Sequence, residues 1–224
     1  MRTTDAVLAP AQRMTRILLV DDHPVVRHGI RQILSGALNP AVVGEAGTAE
    51  EGLAEVRAAD WDVLVLDISL PGPSGLDLLK DVRHERPDLP VLVLSIHPAD
   101  QFARRAIHAG AAGYLTKDSS PMELINAVNE VVAGRRYLNP PVIQELVLGL
   151  HAGHEARPHD GLSDREYQVL RMLASGMTVS QVAARLSLSV KTVSTYRARV
   201  LDKMGMKTTA ELMHYGIRHN LVDD

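Results

Sequence analysis

Five short apolar runs, each followed by an amphipathic segment, organise the first 134 residues of the chain. The runs are ILLV at 17–20, VVGEA at 42–46, VLVL at 63–66, VLVL at 91–94 and GYL at 113–115. Continuous Val, Ile and Leu without polar alternation is typical of strands that are buried on both faces of a parallel sheet. We therefore predict an α/β domain with a doubly wound, five-stranded parallel sheet.

The segments between these runs have the spacing of helices. We predict helices at about 24–36, 48–58, 75–84, 99–108 and 121–133. Start signals support three of them: Pro24 in a first turn, Thr48 with Glu51 as a capping box, and Ser120 directly before Pro121.

From Leu162 onward the pattern is wholly helical, with Ser163 and Glu166 as a capping box and three further amphipathic segments behind the first. This predicts an all-α domain of four helices. The expected organisation is an N-terminal tail at 1–14, the α/β domain at 15–137, a linker with a short helix and a flexible segment at 138–161, and the helical domain at 162–224. The linker carries His151, His154 and His159; a solvated segment is a simpler interpretation of them than a metal cluster.

Composition narrows the class of protein. The net charge is −3, yet nine lysines and arginines between positions 165 and 218 stand against only Glu166, Asp202 and Glu211. A basic module of this kind suggests a polyanion as its partner.

The absence of cysteine excludes disulfides and thiolate metal sites. No apolar run approaches the roughly 20 residues of a membrane span, and the first residues lack a signal-peptide core, so we expect a cytoplasmic protein without a membrane partner.

Polar side chains stand where four of the predicted strands end. Asp21 and Asp22 follow the first strand, Asp67 ends the third, Ser95 ends the fourth and Lys117 follows the fifth. Because the carboxyl ends of parallel strands meet at one edge of the sheet, we expect these groups to converge. Three carboxylates repel one another unless a cation lies among them, and oxygen ligands without Cys or His suit Mg²⁺.

Such a cation indicates phosphoryl chemistry. A carboxylate can attack phosphorus and form an acyl phosphate while Mg²⁺ and a lysine neutralise the transferring oxygens. Asp67 is the best-placed nucleophile, Ser95 can hydrogen-bond the phosphoryl group, and Lys117 can pair with it. Taken singly, these residues have simpler interpretations: Asp22 as a helix cap and Asp67 as a turn residue.

The segment TVSQVAARLSLSVKTVSTYRARVLDKM is typical of a helix, a short turn and a second helix. On the second helix Val193, Tyr196, Val200 and Met204 form one apolar face. The opposite face carries small and basic residues, which suit the major groove of DNA. A charged helix that faces solvent is the alternative interpretation.

Four motifs of the first domain carry a family resemblance: LLVDDHP (18–24), VLVLDISLPGPSGLDLL (63–79), VLVLS (91–95) and GAAGYLTKD (110–118). They resemble the receiver domains of two-component response regulators over about residues 15–135. The resemblance implies a flavodoxin-like fold with Asp67 as the phosphoacceptor and with Lys117 and Ser95 as phosphate partners. It also implies a Mg²⁺ site made by Asp22, by Asp21 through water, by Asp67 and by the backbone carbonyl of Ser69.

The resemblance further implies a conformational switch. Tyr114 lies three residues before Lys117, where the family has a mobile aromatic side chain that turns inward once the residue at Ser95 moves to the phosphate. A tyrosine half-buried at the sheet edge is the alternative. Asp118 follows Lys117 where many receivers have proline, which excludes a cis-proline turn at that point.

The stretch LSDREYQVLRMLASGMTVSQVAARLSLSVKTVSTYRARVLDKMGM resembles the LuxR-type helix-turn-helix. Joined to a receiver, it is similar to the NarL/FixJ class of response regulators. The DNA contacts that the resemblance implies are Ser194, Thr195 and Ala198 near the bases and Lys191, Thr192, Arg197 and Arg199 on the phosphate backbone. The last helix resembles the one through which such modules pair on DNA, although closure of the domain core would also explain it.

We therefore predict a phosphorylation-activated transcription regulator, with slow autodephosphorylation at most and no enzymatic turnover. A cognate histidine kinase would phosphorylate Asp67, and self-association as a homodimer and promoter binding would change. RNA polymerase is a further candidate partner. Three alternatives stay open: a hydrolase of the haloacid dehalogenase type, which would carry a second aspartate where this chain has Ser69; a quorum-sensing regulator, which would need a ligand-binding first domain; and a regulator that needs no phosphorylation.

Overall fold

The computed structural model describes residues 14–38, 41–95, 99–140, 143, 157–219 and 221–222. The first part of the chain alternates strands with helices, as the apolar runs predict. Its elements are β1 (Thr15–Val20), α1 (Pro24–Ala37), β2 (Ala41–Ala46), α2 (Ala49–Ala58), β3 (Val63–Asp67), α3 (Gly75–Glu85), β4 (Val91–Ser95), α4 (Ala99–His108), β5 (Gly113–Thr116), α5 (Pro121–Val132) and β6 (Tyr137–Leu138).

All pairs of neighbouring strands are parallel, in the order β2-β1-β3-β4-β5-β6. The prediction of a doubly wound sheet is confirmed, but the sheet has six strands instead of five. The added strand pairs Tyr137 with Gly113 at the edge of the sheet. Two residues are too short for an apolar run, so the pattern gave no signal for β6.

The register of the sheet places the strand ends side by side. Val20 pairs with Leu66, Asp67 pairs with Leu94, and Ser95 pairs with Thr116. The residues that follow β1 and β5 therefore lie at the same edge as the last residues of β3 and β4.

Each face of the sheet is covered by helices. One face packs against α1 and α5, through side chains such as Leu34 and Val128. The other face packs against α2, α3 and α4, through Val56, Leu79 and Phe102 among others. Every residue of β3 and β4 is buried, which explains why their sequences VLVLD and VLVLS show no polar alternation.

The last part of the chain forms a helical domain. A short 3-10 helix (Pro158–Gly161) precedes α6 (Asp164–Ala174), α7 (Val179–Arg185), α8 (Val190–Met204) and α9 (Thr209–Arg218). Ser163 and Glu166 form the capping box that the sequence predicts. Apolar side chains of this domain, such as Leu170 and Val200, belong to the same cluster as Phe102 of the α/β domain. A continuous core therefore joins the two domains.

Two local expectations differ from the structure. Thr48 accepts a hydrogen bond from the Glu51 amide, but the Glu51 carboxylate accepts one from the amide of Gly47 instead of completing the box with Thr48. His159, expected in a solvated linker, is buried because its ring packs against Tyr167 and Tyr215. His151, His154 and most of the predicted short helix lie outside the described residues.

Within the described ranges, no helix combines the length and the hydropathy that crossing a bilayer requires.

Gly75, the first residue of α3, holds the loop after β3 against the sheet. A Cβ atom at this position would lie 2.0 Å from the carbonyl oxygen of Asp67 and 2.7 Å from the Cα atom of Ile68. Both neighbours are backbone atoms and cannot move aside without displacing the end of β3. A glycine is therefore required here by close approach.

We expect the Gly75→Ala substitution to lower the free energy of unfolding by about 3 kcal/mol, at the upper end of overpacking effects. Urea unfolding followed by the fluorescence of Trp61, the only tryptophan of the chain, measures this change. Gly29→Ala in α1 is the matched control, because its Cβ would meet nothing within 4 Å; it should gain about 0.5–1 kcal/mol from helix propensity. A Gly75→Ala protein as stable as the wild type would contradict the close-packing argument.

Candidate functional site

Three carboxylates meet at the carboxyl edge of the sheet. Asp21 follows β1, and Asp67 is the last residue of β3; their exposed fractions are 1% and 2%. Potential ligand atoms of Asp21, Asp22, His23 and Asp67 all lie within 4.8 Å of one another. The structure thus brings together the three carboxylates that the sequence singles out.

His23 is the member of this group that sequence reasoning missed. Its Nδ1 atom lies 2.6 Å from Oδ1 of Asp22, while its ring is largely exposed. The only sequence signal for its membership of the group was its position directly after Asp21 and Asp22. Asp22 does not cap α1: the N-cap residue is His23, which makes no side-chain cap, and its amide donates to Oδ1 of Asp21 at 2.8 Å. The capping interpretation of Asp22 is therefore wrong.

Lys117 bridges the two buried carboxylates. Its Nζ atom lies 2.6 Å from Oδ2 of Asp21 and 2.7 Å from Oδ2 of Asp67. The Lys117 amide donates to the carbonyl oxygen of Ser95 at 2.8 Å, which fixes the start of its loop relative to β4. One cation therefore compensates two charges that would otherwise repel each other in a place with little water.

The protonation of this cluster follows from burial and charge. Burial raises the pKa of Asp67, and the Asp21 carboxylate adds to the rise, whereas the Lys117 ammonium and the Ser69 amide oppose it. Burial alone would lower the pKa of Lys117, but its contacts with Asp67 and Asp21 outweigh this effect and raise it. Lys117 is accordingly held as an ammonium ion between the carboxylates.

The remaining predicted residues border the acidic cluster or support it. The Ser69 amide donates to Oδ1 of Asp67 at 3.0 Å, and Ser69 lines the same cavity as Asp22 and Lys117. Ser95 is fully buried at the end of β4, one residue beyond the partner of Asp67 in the sheet. Tyr114 is also fully buried, in the cluster that contains Phe102 of α4. Tyr114 is therefore not half-buried at the sheet edge, and that alternative is wrong.

The helices α7 and α8 form the predicted helix-turn-helix. Ser189 caps α8 by accepting a hydrogen bond from the Thr192 amide at 3.0 Å. Val193 and Val200 are fully buried and Met204 nearly so, whereas Tyr196 is partly buried. The apolar face that the spacing predicts is thus the face that packs into the domain.

The opposite face of α8 is open. Its exposed residues are Lys191, Ser194, Thr195, Ala198 and Arg199. Thr192 and Arg197 are partly buried. Arg197 donates from Nε to Oγ1 of Thr209 at 2.8 Å, so this guanidinium makes a contact within the domain that ties α8 to α9.

Comparisons with known proteins match two separate parts of the chain to two families. Residues 17–129 match the family described as response regulator receiver domain, and residues 160–216 match the family described as bacterial regulatory proteins, luxR family. The response regulator UvrY of Escherichia coli O6:H1 is 36% identical over 209 residues, which cover 93% of this chain and 96% of UvrY. The response regulator GacA of Pseudomonas aeruginosa is 37% identical over 211 residues, which cover 94% and 99%.

Solved structures give the same result. RcsB of Salmonella enterica serovar Typhimurium, bound to promoter rprA in the presence of the phosphomimetic BeF3-, matches with a TM-score of 0.62 and 25% identity over 91% of this chain and 98% of that one. A structure of two RcsB dimers bound to two parallel DNAs matches with a TM-score of 0.56 and 26% identity over 91% and 98%. The chain therefore belongs to the NarL/FixJ class of two-component response regulators, transcription regulators whose DNA binding depends on phosphorylation and which are not turnover enzymes.

Proposed function

We propose that Asp67 is the phosphoacceptor of this regulator and that a cognate histidine kinase is its donor. The observation that carries the proposal is the position of the Asp67 carboxylate, which lies at the end of a central strand, in contact with Lys117 and beside Asp21. In the transfer an oxygen of Asp67 forms a bond to phosphorus, the bond from phosphorus to the histidine nitrogen breaks, and the imidazole leaves.

The residues around Asp67 have separate tasks in that step. Lys117 favours the ionised, nucleophilic form of Asp67 and can pair with the new phosphoryl oxygens after transfer. The Ser69 amide orients the carboxylate through its hydrogen bond to Oδ1. Because these partners are fixed before the donor arrives, the site needs little reorganisation during the reaction.

The acidic cluster fits Mg²⁺. Its carboxylate oxygens are the ligand type that this hard cation prefers, and they lie close enough together to share one ion. We propose that Asp21, Asp22, Asp67 and the backbone carbonyl of Ser69 hold it. When bound, Mg²⁺ supplies charge neutralisation to the transferring phosphoryl oxygens.

Ser95 and Tyr114 are proposed to report phosphorylation to the rest of the molecule. Ser95 is next to the Asp67 pairing position, and Tyr114 on β5 packs in the cluster that includes Phe102 of α4. We propose that a shift of Ser95 toward the phosphoryl group is accompanied by a change in the packing of Tyr114 against α4.

DNA and a second copy of the chain are the proposed partners of the helical domain. The face of α8 that carries Lys191, Ser194 and Thr195 is exposed and suits the major groove. The RcsB structures, one on a promoter and one with dimers on DNA, support both partners. Binding to chromosomal DNA would place the protein in the cytoplasm, where RNA polymerase is a further proposed partner.

We expect Asp67→Asn to abolish phosphodonor-dependent labelling and the gain in promoter binding that follows it. The amide cannot act as the nucleophile, yet it preserves the shape of the side chain. Labelling with a radioactive phosphodonor and a mobility-shift titration measure the two effects. Asp81→Asn, an exposed carboxylate on α3, is the control and should behave as the wild type. Undiminished labelling of Asp67→Asn would contradict the assignment of Asp67 as the phosphoacceptor.

Removal of Lys117 should destabilise the protein in a way that Mg²⁺ reverses. Lys117→Ala leaves two buried carboxylates without their cation, which costs roughly 3–5 kcal/mol when a buried pair is broken. Thermal unfolding with EDTA and with Mg²⁺ measures the loss and the recovery. Lys203→Ala is the matched control, because Lys203 Nζ lies 2.6 Å from the buried carboxylate of Glu166, away from the acidic cluster. Equal recovery of both variants with Mg²⁺ would contradict the proposed metal site.

Lys191→Ala should weaken DNA binding about equally for all sequences, since a lysine at a phosphate contributes charge without base recognition. The slope of log affinity against log salt should fall by about one. Fluorescence anisotropy with a promoter fragment and a scrambled duplex at several salt concentrations measures this change. Lys80→Ala on α3 of the receiver should leave the slope unchanged. A change in sequence preference without a change in slope would contradict a phosphate contact at Lys191.

A further inference from the structure

The DNA-binding domain is docked on the receiver through Arg105 of α4. The guanidinium donates from Nη1 to the carbonyl oxygen of Leu162 and from Nη2 to that of His159, both at 2.9 Å. It also lies over the ring of Tyr167, 4.4 Å from the ring centre. One receiver side chain thus holds the backbone that leads into α6 and the first turn of that helix.

Aromatic packing extends this contact. The rings of Phe102 on α4 and Tyr167 on α6 meet edge to face with 5.2 Å between their centres, and each ring is 2% exposed. The Arg171 guanidinium of α6 lies 5.6 Å from the centre of the Phe102 ring. The interface between the domains therefore contains buried aromatic side chains as well as polar contacts.

The docked domain forms one wall of the cavity that contains Asp67. The Gly72 amide, in the loop after β3, donates to the carbonyl oxygen of Leu186 at the end of α7 at 3.4 Å. The cavity has a volume of about 420 Å³. Asp67 and Lys117 line it from the receiver, and Gln168, Arg171 and Leu186 line it from the DNA-binding domain.

The docking leaves the proposed DNA-binding face of α8 exposed. Lys191, Ser194, Thr195 and Ala198 remain exposed while α6 and α7 lie against the receiver. What the docked domain does border is the cavity that Asp67 lines from the receiver.

We propose that docking of the DNA-binding domain determines which class of phosphodonor reaches Asp67. A small acyl phosphate enters the cavity of the docked form, whereas the phosphohistidine of a kinase domain reaches Asp67 only after undocking. Arg105 is the residue that sets this specificity. The inference deepens the proposed function and rests on Asp67 as the phosphoacceptor.

The size of the cavity supports a difference in access between a small phosphodonor and a protein donor. A cavity of about 420 Å³ is within the range of roughly 300–1,000 Å³ that small ligands occupy. It reaches solvent at His23, Ser175 and Arg185, which line it and are exposed. A protein donor covers far more surface around the acceptor than a small molecule does, about 800 Å² per partner in a standard interface and less in a transient one. In the docked form α6 and the end of α7 occupy part of that surface.

The chemistry at Asp67 is the same for both donors. An oxygen of Asp67 bonds to phosphorus in each case. With the acyl phosphate the phosphorus–oxygen bond breaks and a carboxylate leaves; with phosphohistidine the phosphorus–nitrogen bond breaks and the imidazole leaves. A difference between the donors therefore reports access and not a change in the acceptor.

The test compares two donors on the full-length wild type, Arg105→Ala and Arg105→Glu. The donors are acetyl phosphate and an autophosphorylated histidine kinase fragment, chosen beforehand because it labels Arg105→Ala. Arg105→Ala removes both hydrogen bonds, and Arg105→Glu turns a carboxylate toward two carbonyl oxygens and undocks the domain more fully. We expect transfer from the kinase to accelerate at least fivefold, more in Arg105→Glu, while the rate with acetyl phosphate changes less than twofold.

Small-angle scattering and circular dichroism identify the undocked, folded state, in which the radius of gyration rises and helix content is kept. Arg57→Ala is the control; this arginine pairs with Glu85 between the far ends of α2 and α3 and should change neither rate. An undocked variant with an unchanged kinase rate, or with equal acceleration by both donors, overturns the inference alone. Kinase label that maps to a residue other than Asp67, together with no acetyl phosphate label at Asp67 in any variant, would instead overturn the proposed function.

Discussion

The ammonium group of Lys117, held between the carboxylates of Asp21 and Asp67, is the interaction on which the rest of the structure depends. It joins the ends of β1, β3 and β5, because each of the three residues lies at the end of one of those strands. Two almost fully buried carboxylates would otherwise acquire protons or draw in water. The parallel register of the sheet brings the strand ends together, and the Lys117 ammonium lies within ion-pair distance of both acids there.

Much of the receiver could be predicted because its signals are local. The runs VLVL at 63–66 and 91–94 predicted two strands, because strands that are buried on both faces consist mainly of apolar residues. These strands end one residue later, at Asp67 and Ser95. A second rule, that the carboxyl ends of parallel strands meet at one edge, predicted which side chains lie together there. The two-residue strand β6 gave too short a pattern, and the spacing of Thr48 and Glu51 did not show that the Glu51 carboxylate accepts from the amide of Gly47.

The contacts between the domains could not be predicted in this way. Arg105 belongs to an amphipathic helix whose charged positions, read from periodicity, would face water. Its partners at His159 and Leu162 are more than fifty residues away in the sequence and are backbone atoms, which carry no residue-specific signal. The burial of His159 has the same origin: it depends on Tyr167 and Tyr215, which only the folded helical domain brings to it.

The choice of main-chain oxygens as partners of Arg105 has an evolutionary consequence. Carbonyl oxygens are present whatever side chains a segment carries, so the exposed Pro158 and Gly161 can be substituted while both hydrogen bonds of Arg105 are kept, whereas the packing of the His159 ring restricts that position. Insertions or deletions between that helix and α6 have the opposite effect, because they change the spacing of the two oxygens that the planar guanidinium requires. Divergence among chains that share this docking should therefore be freer in residue identity at the exposed positions than in the length of this junction.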